Sequence, residues 1–378
     1  MKLLTVIGAR PQIIKAAAIS RAIQGRFNGR LEERILHTGQ HYDSNMSAVF
    51  FNEMGIPQPD FNLGVGSSNH QLAEMLTGIE DTLMQDNYDG VIVYGDTNST
   101  LAGALAAAKM QVPVFHIEAG LRSFNMTMPE EQNRIVTDQL SSICFAPTQT
   151  AVDNLRREGF LDSPTCFCHQ RTRKVIFSGD VMYDNTLHYS QANRPENNIV
   201  QRLGLQEGRY VLATIHRNYN TDDPIRLAAI LHGLAAIARR HGITVLLPLH
   251  PRTEARLRLP HPEGGSGLAS DLQHLRVVPP VSYLEMLQLE RHAQLVMTDS
   301  GGVQKEAFFL ERPCVILRTE TEWTEIVEHG AGLLAGADPD DILAAYDTLR
   351  GRTVLFPPLF GDGHAAELIV ENIIDYLS

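Results

Sequence analysis

Seven clusters of charged, hydroxyl-bearing and glycine residues each follow an apolar run, and each holds side chains that could do chemistry. The first is Gly8-Ala9-Arg10-Pro11-Gln12-Ile13-Ile14-Lys15. A strand reads up to Gly8 and a helix begins near Pro11, because proline suits the first helical turn, where its missing N–H has no partner to lose. A helix N-terminus attracts an anion, and Arg10 and Lys15 add full positive charges. The cluster is not GxGxxG, so a nicotinamide-binding turn is not indicated. The second cluster, Tyr94-Gly95-Asp96-Thr97-Asn98-Ser99-Thr100, places Asp96 at the carboxyl end of a strand, where α/β proteins put their reactive groups. Its hydroxyl residues read equally well as helix caps. The third, His116-Ile117-Glu118-Ala119-Gly120-Leu121-Arg122-Ser123, puts Glu118 at the next strand end. The fourth, Met128-Pro129-Glu130-Glu131-Gln132-Asn133-Arg134, opens a helix with two acids, a placement the helix dipole alone would favour. Three carboxylates at neighbouring element ends (Asp96, Glu118 and Glu130) suggest more. Crowding pushes their proton affinities apart and can leave an acid and a base near pH 7.

The second half has its own set. Thr214-Ile215-His216-Arg217-Asn218 and Pro248-Leu249-His250-Pro251-Arg252 each end an apolar strand with histidine and arginine close together. One such histidine is often a structural group; two, each beside an arginine, favour an anion site. In Thr298-Asp299-Ser300-Gly301-Gly302-Val303-Gln304-Lys305-Glu306 a strand turns through two glycines into a helix. Gly301 and Gly302 let a phosphate approach backbone amides, Ser300 offers a hydroxyl, and Glu306 is placed to accept from ribose hydroxyls. With Arg10, Lys15, His216 and Arg217, this predicts a nucleoside diphosphate held between two domains. The residues alone do not specify the reaction.

The elements that must carry these clusters alternate short apolar runs with longer helical patterns. Strands are predicted at 3–8, 34–39, 90–96, 112–118, 175–180, 210–216, 243–250, 275–281, 295–300 and 314–318, with helices over 12–25, 101–110 and 224–240. The runs are apolar on both faces, which suits parallel sheets covered by helices. The expected class is α/β, with two Rossmann-like doubly wound domains facing a cleft and ligand at the carboxyl ends of the strands. The polar stretch 184–205 reads as a linker, and PHPEGGSG (260–267) as a surface loop. The predicted domains are 1–180, completed by a C-terminal helix over 364–378, and 181–363.

Composition bounds the partners. The 378 residues are 43% hydrophobic and 20% charged, ordinary for a globular protein of two or three domains and unlike a disordered chain. Lys and Arg total 32 against 44 Asp and Glu, a net charge of −12 that argues against nucleic acid or an anionic membrane as partner. No apolar run spans a bilayer, and the opening MKLLTVIGARPQIIK lacks the pattern of a signal peptide. Cys144, Cys166, Cys168 and Cys314 are too sparse for a disulfide framework, which points to the cytoplasm. Cys166, Cys168 and His169 lack the usual zinc spacings, so neither metal nor cofactor is expected.

GARPQIIK, HTGQH, YGDTNST, HIEAGLRS, MPEEQNR, HR, LHP, TDSGG with its following Glu, and TETEW occur in an order that closely resembles the non-hydrolysing UDP-N-acetylglucosamine 2-epimerases. The resemblance runs over nearly the whole chain. It implies a glycosyltransferase-B type fold, a C-terminal helix crossing back onto the first domain, a homodimer and a UDP-sugar substrate. It also implies inversion at carbon 2 through elimination of UDP, a 2-acetamidoglucal and re-addition, in the supply of polysaccharide precursors. By motif, Asp96, Glu118, Glu130 and His216 match catalytic residues. Arg10, Lys15, Ser300, Gly301, Gly302 and Glu306 match substrate- and UDP-binding positions, as do Arg217, His250 and Arg318. TGQHYD, NTDDP, HPRT and TEW are more similar to the branch acting on UDP-2,3-diacetamido-2,3-dideoxyglucuronate, whereas Met126 and Thr127 stand where that branch has basic residues. Tyr219 stands where an acid is usual, and Tyr42-Asp43-Ser44-Asn45-Met46 departs from members activated by UDP-N-acetylglucosamine, so such activation is expected to be absent or altered. Residues 164–174 read as a local insertion. A hydrolysing relative that releases UDP, a glycosyltransferase of the same fold and a non-catalytic nucleotide-sugar binder remain the alternatives.

Overall fold

The computed structural model describes residues 1–40, 51, 54–66, 68–160, 173–191, 198–249, 251–257 and 270–378. The chain forms two compact units, Met1–Asn185 with Pro358–Ser378, and Thr186–Pro357. In the first, strands β1 (Lys2–Ile7), β2 (Glu32–His37), β3 (Phe61–Asn62), β4 (Gly90–Tyr94), β5 (Val114–Ile117), β6 (Ile143–Ala146) and β7 (Lys174–Phe177) make a parallel sheet in the order β3-β2-β1-β4-β5-β6-β7. In the second, β8 (Tyr210–Thr214), β9 (Thr244–Pro248), β10 (Arg276–Val278), β11 (Leu295–Thr298), β12 (Cys314–Ile316) and β13 (Gly332–Leu334) follow the corresponding order, β10-β9-β8-β11-β12-β13. Every residue of β4 and β8 is buried, as expected of central strands covered on both faces.

Helices α1 (Arg10–Gln24), α2 (Gln71–Gln85), α3 (Asn98–Lys109), α4 (Pro129–Leu140) and α5 (Gln149–Arg157) accompany the first sheet. Met75, Ile79 and Leu83 of α2 pack with Val6, Val91 and Val93 into one core. After α6 (Val181–Gln191), the second sheet carries α7 (Pro224–His241), α8 (Tyr283–His292), α9 (Gly301–Phe309) and α10 (Pro339–Arg350). Leu227, Ile230 and Leu234 of α7 meet Val211, Val245 and Met297 in its core. The C-terminal helix, Ala365–Leu377, belongs to the first unit. Its first turn is capped by Asp184, whose Oδ1 and Oδ2 accept from Ala365 N and Ala366 N at 3.1 and 2.7 Å.

Two expectations need correction. The stretch taken for a linker is helical over much of its described length, in α6 and in a short turn at Ile199–Arg202, and the division between units falls inside α6. Val181, Met182 and Tyr189 are buried together with the polar Asp184, Asn185 and Thr186, so packing holds a helix whose composition is largely polar. The strands β3, β6 and β13 were not predicted. The loop at 260–267, the stretch 42–46 and all of the predicted insertion 164–174 but its last two residues lie outside the described residues, and Lys174 begins β7. Among the described residues no helix is long and apolar enough to cross a membrane.

Candidate active site

Strand order reverses between β1 and β4 in one sheet and between β8 and β11 in the other. At such a point the loops leaving the two strands diverge and open a crevice at their carboxyl ends. Most of the predicted site clusters lie on these loops and on that following β5; the Pro248–Arg252 cluster follows β9 instead, and Arg318 follows β12.

In the first unit Gln12 ties two of the loops together. Its Oε1 accepts from Gly8 N and Ala9 N at 2.8 and 3.1 Å, while its Nε2 donates to Tyr94 O and Thr100 Oγ1, both at 2.9 Å. A Cβ on Gly8 would lie 2.1 Å from Ser99 Oγ and 2.2 Å from Thr38 Oγ1, so only glycine lets β1 end this close to α3. Thr97 caps α3, Ser99 bonds Thr38 Oγ1 at 2.8 Å, and Thr100 donates to Tyr94 O at 2.6 Å. Capping therefore accounts for Thr97 and Thr100, whereas Ser99 ties α3 to the loop after β2. Lys15, one turn beyond Gln12, pairs with Glu118, Nζ to Oε1 at 2.7 Å, with both side chains largely buried. Arg10 is exposed at the first position of α1.

Glu118 has φ +70°, in the left-handed region, where a non-glycine residue is held at a cost and often for function. Asp96 pairs with the Arg134 guanidinium, which also reaches Glu131 Oε2 at 2.7 Å. Of the two acids opening α4, Glu131 is buried and accepts from Ser123 N and Phe124 N, both at 2.9 Å. Burial alone would raise its carboxyl, but these N–H donors and Arg134 hold it below the usual range. Glu130 is exposed. Glu131 thus does structural work and Glu130 is left at the surface.

In the second unit Asp299 organises the site. It is fully buried; its carboxylate accepts from His216 N at 3.1 and 3.2 Å, Arg217 N at 3.0 Å and Asn220 Nδ2 at 3.1 Å, and lies 3.2 Å from His216 Nδ1. Burial pushes its carboxyl up, but the donors from His216 and Asn220 outweigh that and hold it low. In the neutral ring this acceptor places the hydrogen of His216 on Nδ1 and the lone pair on Nε2. Ser300 caps α9, its Oγ accepting from Val303 N at 3.4 Å. A Cβ on Gly301 would meet Glu322 Oε1 at 2.1 Å, whereas one on Gly302 would meet only Ser300 Oγ at 3.8 Å. Glu322 pairs with Arg318 at 2.7 Å and lies 3.7 Å from Arg217. Arg217, Arg318 and the Gly301 turn are thus gathered around one carboxylate. Glu306 is buried against Tyr283 and Glu290. Tyr219, at the position of the usual acid, donates to Leu317 O at 3.2 Å and stacks under Arg226 at 4.6 Å. His250 lies outside the described residues.

Sequence reasoning passed over Asp299, Asn220, Glu322, Arg134, His116 and Asp138. Asp299 carried the same signal as Asp96, an acid closing an apolar strand. Asp138 could have been found from helical spacing, since residues 130, 134 and 138 share one face of α4.

These features define an α/β protein of two doubly wound parallel sheets, of the glycosyltransferase-B type, with acids gathered on one sheet's loops and an anion-favouring turn on the other's. Residues 24–374 match the family model for UDP-N-acetylglucosamine 2-epimerase, and the chain belongs to that family of isomerases. It is 48% identical over 378 residues to the UDP-2,3-diacetamido-2,3-dideoxy-D-glucuronate 2-epimerase of Pseudomonas aeruginosa, covering 99% of each chain. It is 38% identical to the UDP-N-acetylglucosamine 2-epimerase of Methanocaldococcus jannaschii, covering 100% of this chain and 99% of the relative. The crystal structure of the latter in complex with UDP-GlcNAc and UDP matches with TM-score 0.80, covering 99% of both chains.

Proposed function

We propose that this chain inverts carbon 2 of a UDP-linked 2-acetamido sugar, and that the sugar is UDP-2,3-diacetamido-2,3-dideoxyglucuronate. The substrate reading is carried by the 48% identity, over essentially all of both chains, to a relative named for that activity. Asp96, Glu118 and Glu130 are the acid–base groups. Removal of the carbon 2 proton is difficult by itself, so it must accompany cleavage of the bond from the anomeric carbon to UDP. The C–H electrons form the carbon 1–carbon 2 double bond of a glucal, and the C–O electrons leave with UDP. A proton delivered to the opposite face of carbon 2 and re-addition of UDP at carbon 1 complete the inversion. Positioned acids and bases supply about 10²–10⁴-fold in such a step.

The remaining residues act on the charge that develops. Arg10, Lys15, Arg217, Arg318 and the amides at Gly301 and Gly302 stabilise the departing diphosphate. Ser300 and Glu306 hold the phosphate and ribose ends, and His216, oriented by Asp299, presents Nε2 for proton or hydrogen-bond exchange with the leaving group. UDP-N-acetylglucosamine is the second substrate reading, favoured by the relative whose structure holds that sugar. The family resemblance also supports a cytoplasmic homodimer as part of this reading, for which light scattering should give twice the 41.9 kDa of the chain. Parallel incubations with the two sugars, followed by NMR, test the substrate. Higher kcat/KM on the diacetamido uronate and a manno-configured UDP product are expected. Higher kcat/KM on UDP-N-acetylglucosamine would overturn the substrate, and accumulation of free UDP with free sugar would overturn the reaction.

A further inference from the structure

The buried interior behind the first unit's acids contains a histidine and an aspartate that the chemistry above does not use. His116, the third residue of β5, is completely buried, as is Asp138 of α4. His116 Nδ1 is 2.7 Å from Asp138 Oδ1, and His116 Nε2 is 2.8 Å from Gly95 O. Both ring nitrogens face acceptors. A ring that donates from both carries a positive charge, which the Asp138 carboxylate balances.

The connections of this pair converge on the two acids. Glu118 sits between residues that Asp138 holds. Asp138 meets His116 two positions before it, accepts from Gly120 N two positions after at 3.2 Å, and pairs with Arg122 four positions after at 2.7 Å. The loop is thus anchored on both sides of the residue at φ +70°. Gly120 at φ +78° can pass only without a side chain, since a Cβ would stand 2.5 Å from Ala151 O. On its other edge His116 holds the carbonyl of Gly95, immediately before Asp96, while Asn133 Nδ2 donates to Asp96 O at 2.9 Å and Arg134 pairs with the Asp96 carboxylate. One face of α4 therefore supports the backbone of both loops, with His116 as the link between them. The other charged groups at this junction are Lys15, which pairs with Glu118 at 2.7 Å, Glu158, which takes Arg122 in two bonds of 2.7 and 2.8 Å, and Glu131, which holds Arg134.

We propose that His116 and Asp138 form a buried positioning pair that sets Asp96 and Glu118 for proton transfer at carbon 2. The pair touches no substrate; it acts through the two acids, and so rests on the acid–base reading of those residues. Displacement of a reacting group by about 1 Å can cost about 10²-fold in rate, so the pair should govern turnover rather than binding.

The test uses the full chain with His116→Gln, with Asp138→Asn and with both changes together, beside Glu118→Gln as reference. Arg122 still holds Asp138 when His116 is replaced, and Glu158 still holds Arg122 when Asp138 is replaced. The double variant removes the two opposite charges at once, and melting curves identify the variants that fold. Turnover is expected to fall about 10²-fold in the folded variants, with KM and the affinity for UDP within about 2-fold. The ¹⁵N shifts of the wild-type ring, read at the assay pH, should be those of a doubly protonated imidazole. A folded variant with wild-type kcat, or a wild-type His116 ring bare at one nitrogen, overturns the proposal. If Glu118→Gln loses turnover while the pair's variants keep it, this inference alone fails. If Glu118→Gln also keeps it, the acid–base reading fails too.

Discussion

Replacing Asp299 should damage stability and turnover in separable ways. In Asp299→Ala the backbone N–H groups of His216 and Arg217 lose their acceptor inside the protein, while Asn220 Nδ2 keeps Leu317 O at 3.0 Å. A stranded buried donor costs about 1–3 kcal/mol, and with His216 half-buried and Arg217 exposed the two fall at the low end, about 2 kcal/mol together, still a sizeable share of a stability of about 5–15 kcal/mol. Asp299→Asn keeps one oxygen where His216 N, Arg217 N and Asn220 Nδ2 converge and should cost only about 1 kcal/mol. Its amide hydrogens, however, would face His216 Nδ1 and push the ring hydrogen to Nε2, the wrong nitrogen for the proposed role. Turnover should then fall about 10²–10⁴-fold. The acid limb gives a further check. A carboxyl held low in the folded state adds stability that is complete above the unfolded value of about 3.9 and is lost as pH falls through the lower folded value. Urea titrations should therefore find the gap between wild type and Asp299→Asn complete at pH 6 and closing below about pH 4. Wild-type stability in Asp299→Ala, or wild-type kcat in Asp299→Asn, would refute the reasoning.

Gly8→Ala should lower stability by about 1–3 kcal/mol through overpacking, because its Cβ would wedge between Thr38 Oγ1 and Ser99 Oγ; an unchanged melting temperature would contradict the tight β1 exit. Burial pushes His37 down to about 4, and its Nδ1 accepts from Gly39 N at 3.0 Å. The unfolded chain binds this proton from about pH 6.5 and the folded chain refuses it, so wild type should lose up to about 3 kcal/mol as pH falls to 4. His37→Gln should flatten that slope in urea titrations, and a wild-type-minus-variant difference independent of pH would contradict it. Burial, followed by the neighbouring Glu306 carboxyl, pushes Glu290 well above the usual carboxylate range. Its contribution is thus present below the unfolded value and is lost as pH rises toward the folded one. Glu290→Gln keeps the shape without the ionisation and should gain about 1–3 kcal/mol on wild type at pH 8, with less gain at pH 5; a gain that shrinks with rising pH would contradict this.

The central strands were legible because burial on both faces leaves an unbroken apolar run, as in GVIVY of β4 and YVLAT of β8. The missed strands are short: β3 has two residues and β13 three, while the four of β6 follow a helix after only two residues, Ser141 and Ser142. The false linker shows the limit of composition, since α6 is anchored by side chains whose partners lie far away, including the capping of residues 365 and 366 by Asp184. In the candidate site, Asp96, Glu118 and His216 announced themselves by closing strands. The pairing of Lys15 with Glu118, 103 positions apart, depends on strand order and could not be read locally. His116 and Asp138 were hidden for a different reason. A histidine inside a strand and an acid late in a helix look ordinary until the fold places them 2.7 Å apart.

The most direct test of the central claim is to run the reaction in deuterium oxide with the diacetamido uronate sugar and follow carbon 2 by NMR and mass. If the acids remove and return a proton there, the manno-configured UDP sugar will carry one solvent deuteron at carbon 2 without net release of UDP, and Glu118→Gln will abolish the exchange. Epimer formed with the original hydrogen still in place would contradict the account, and so would exchange that persists undiminished in Glu118→Gln.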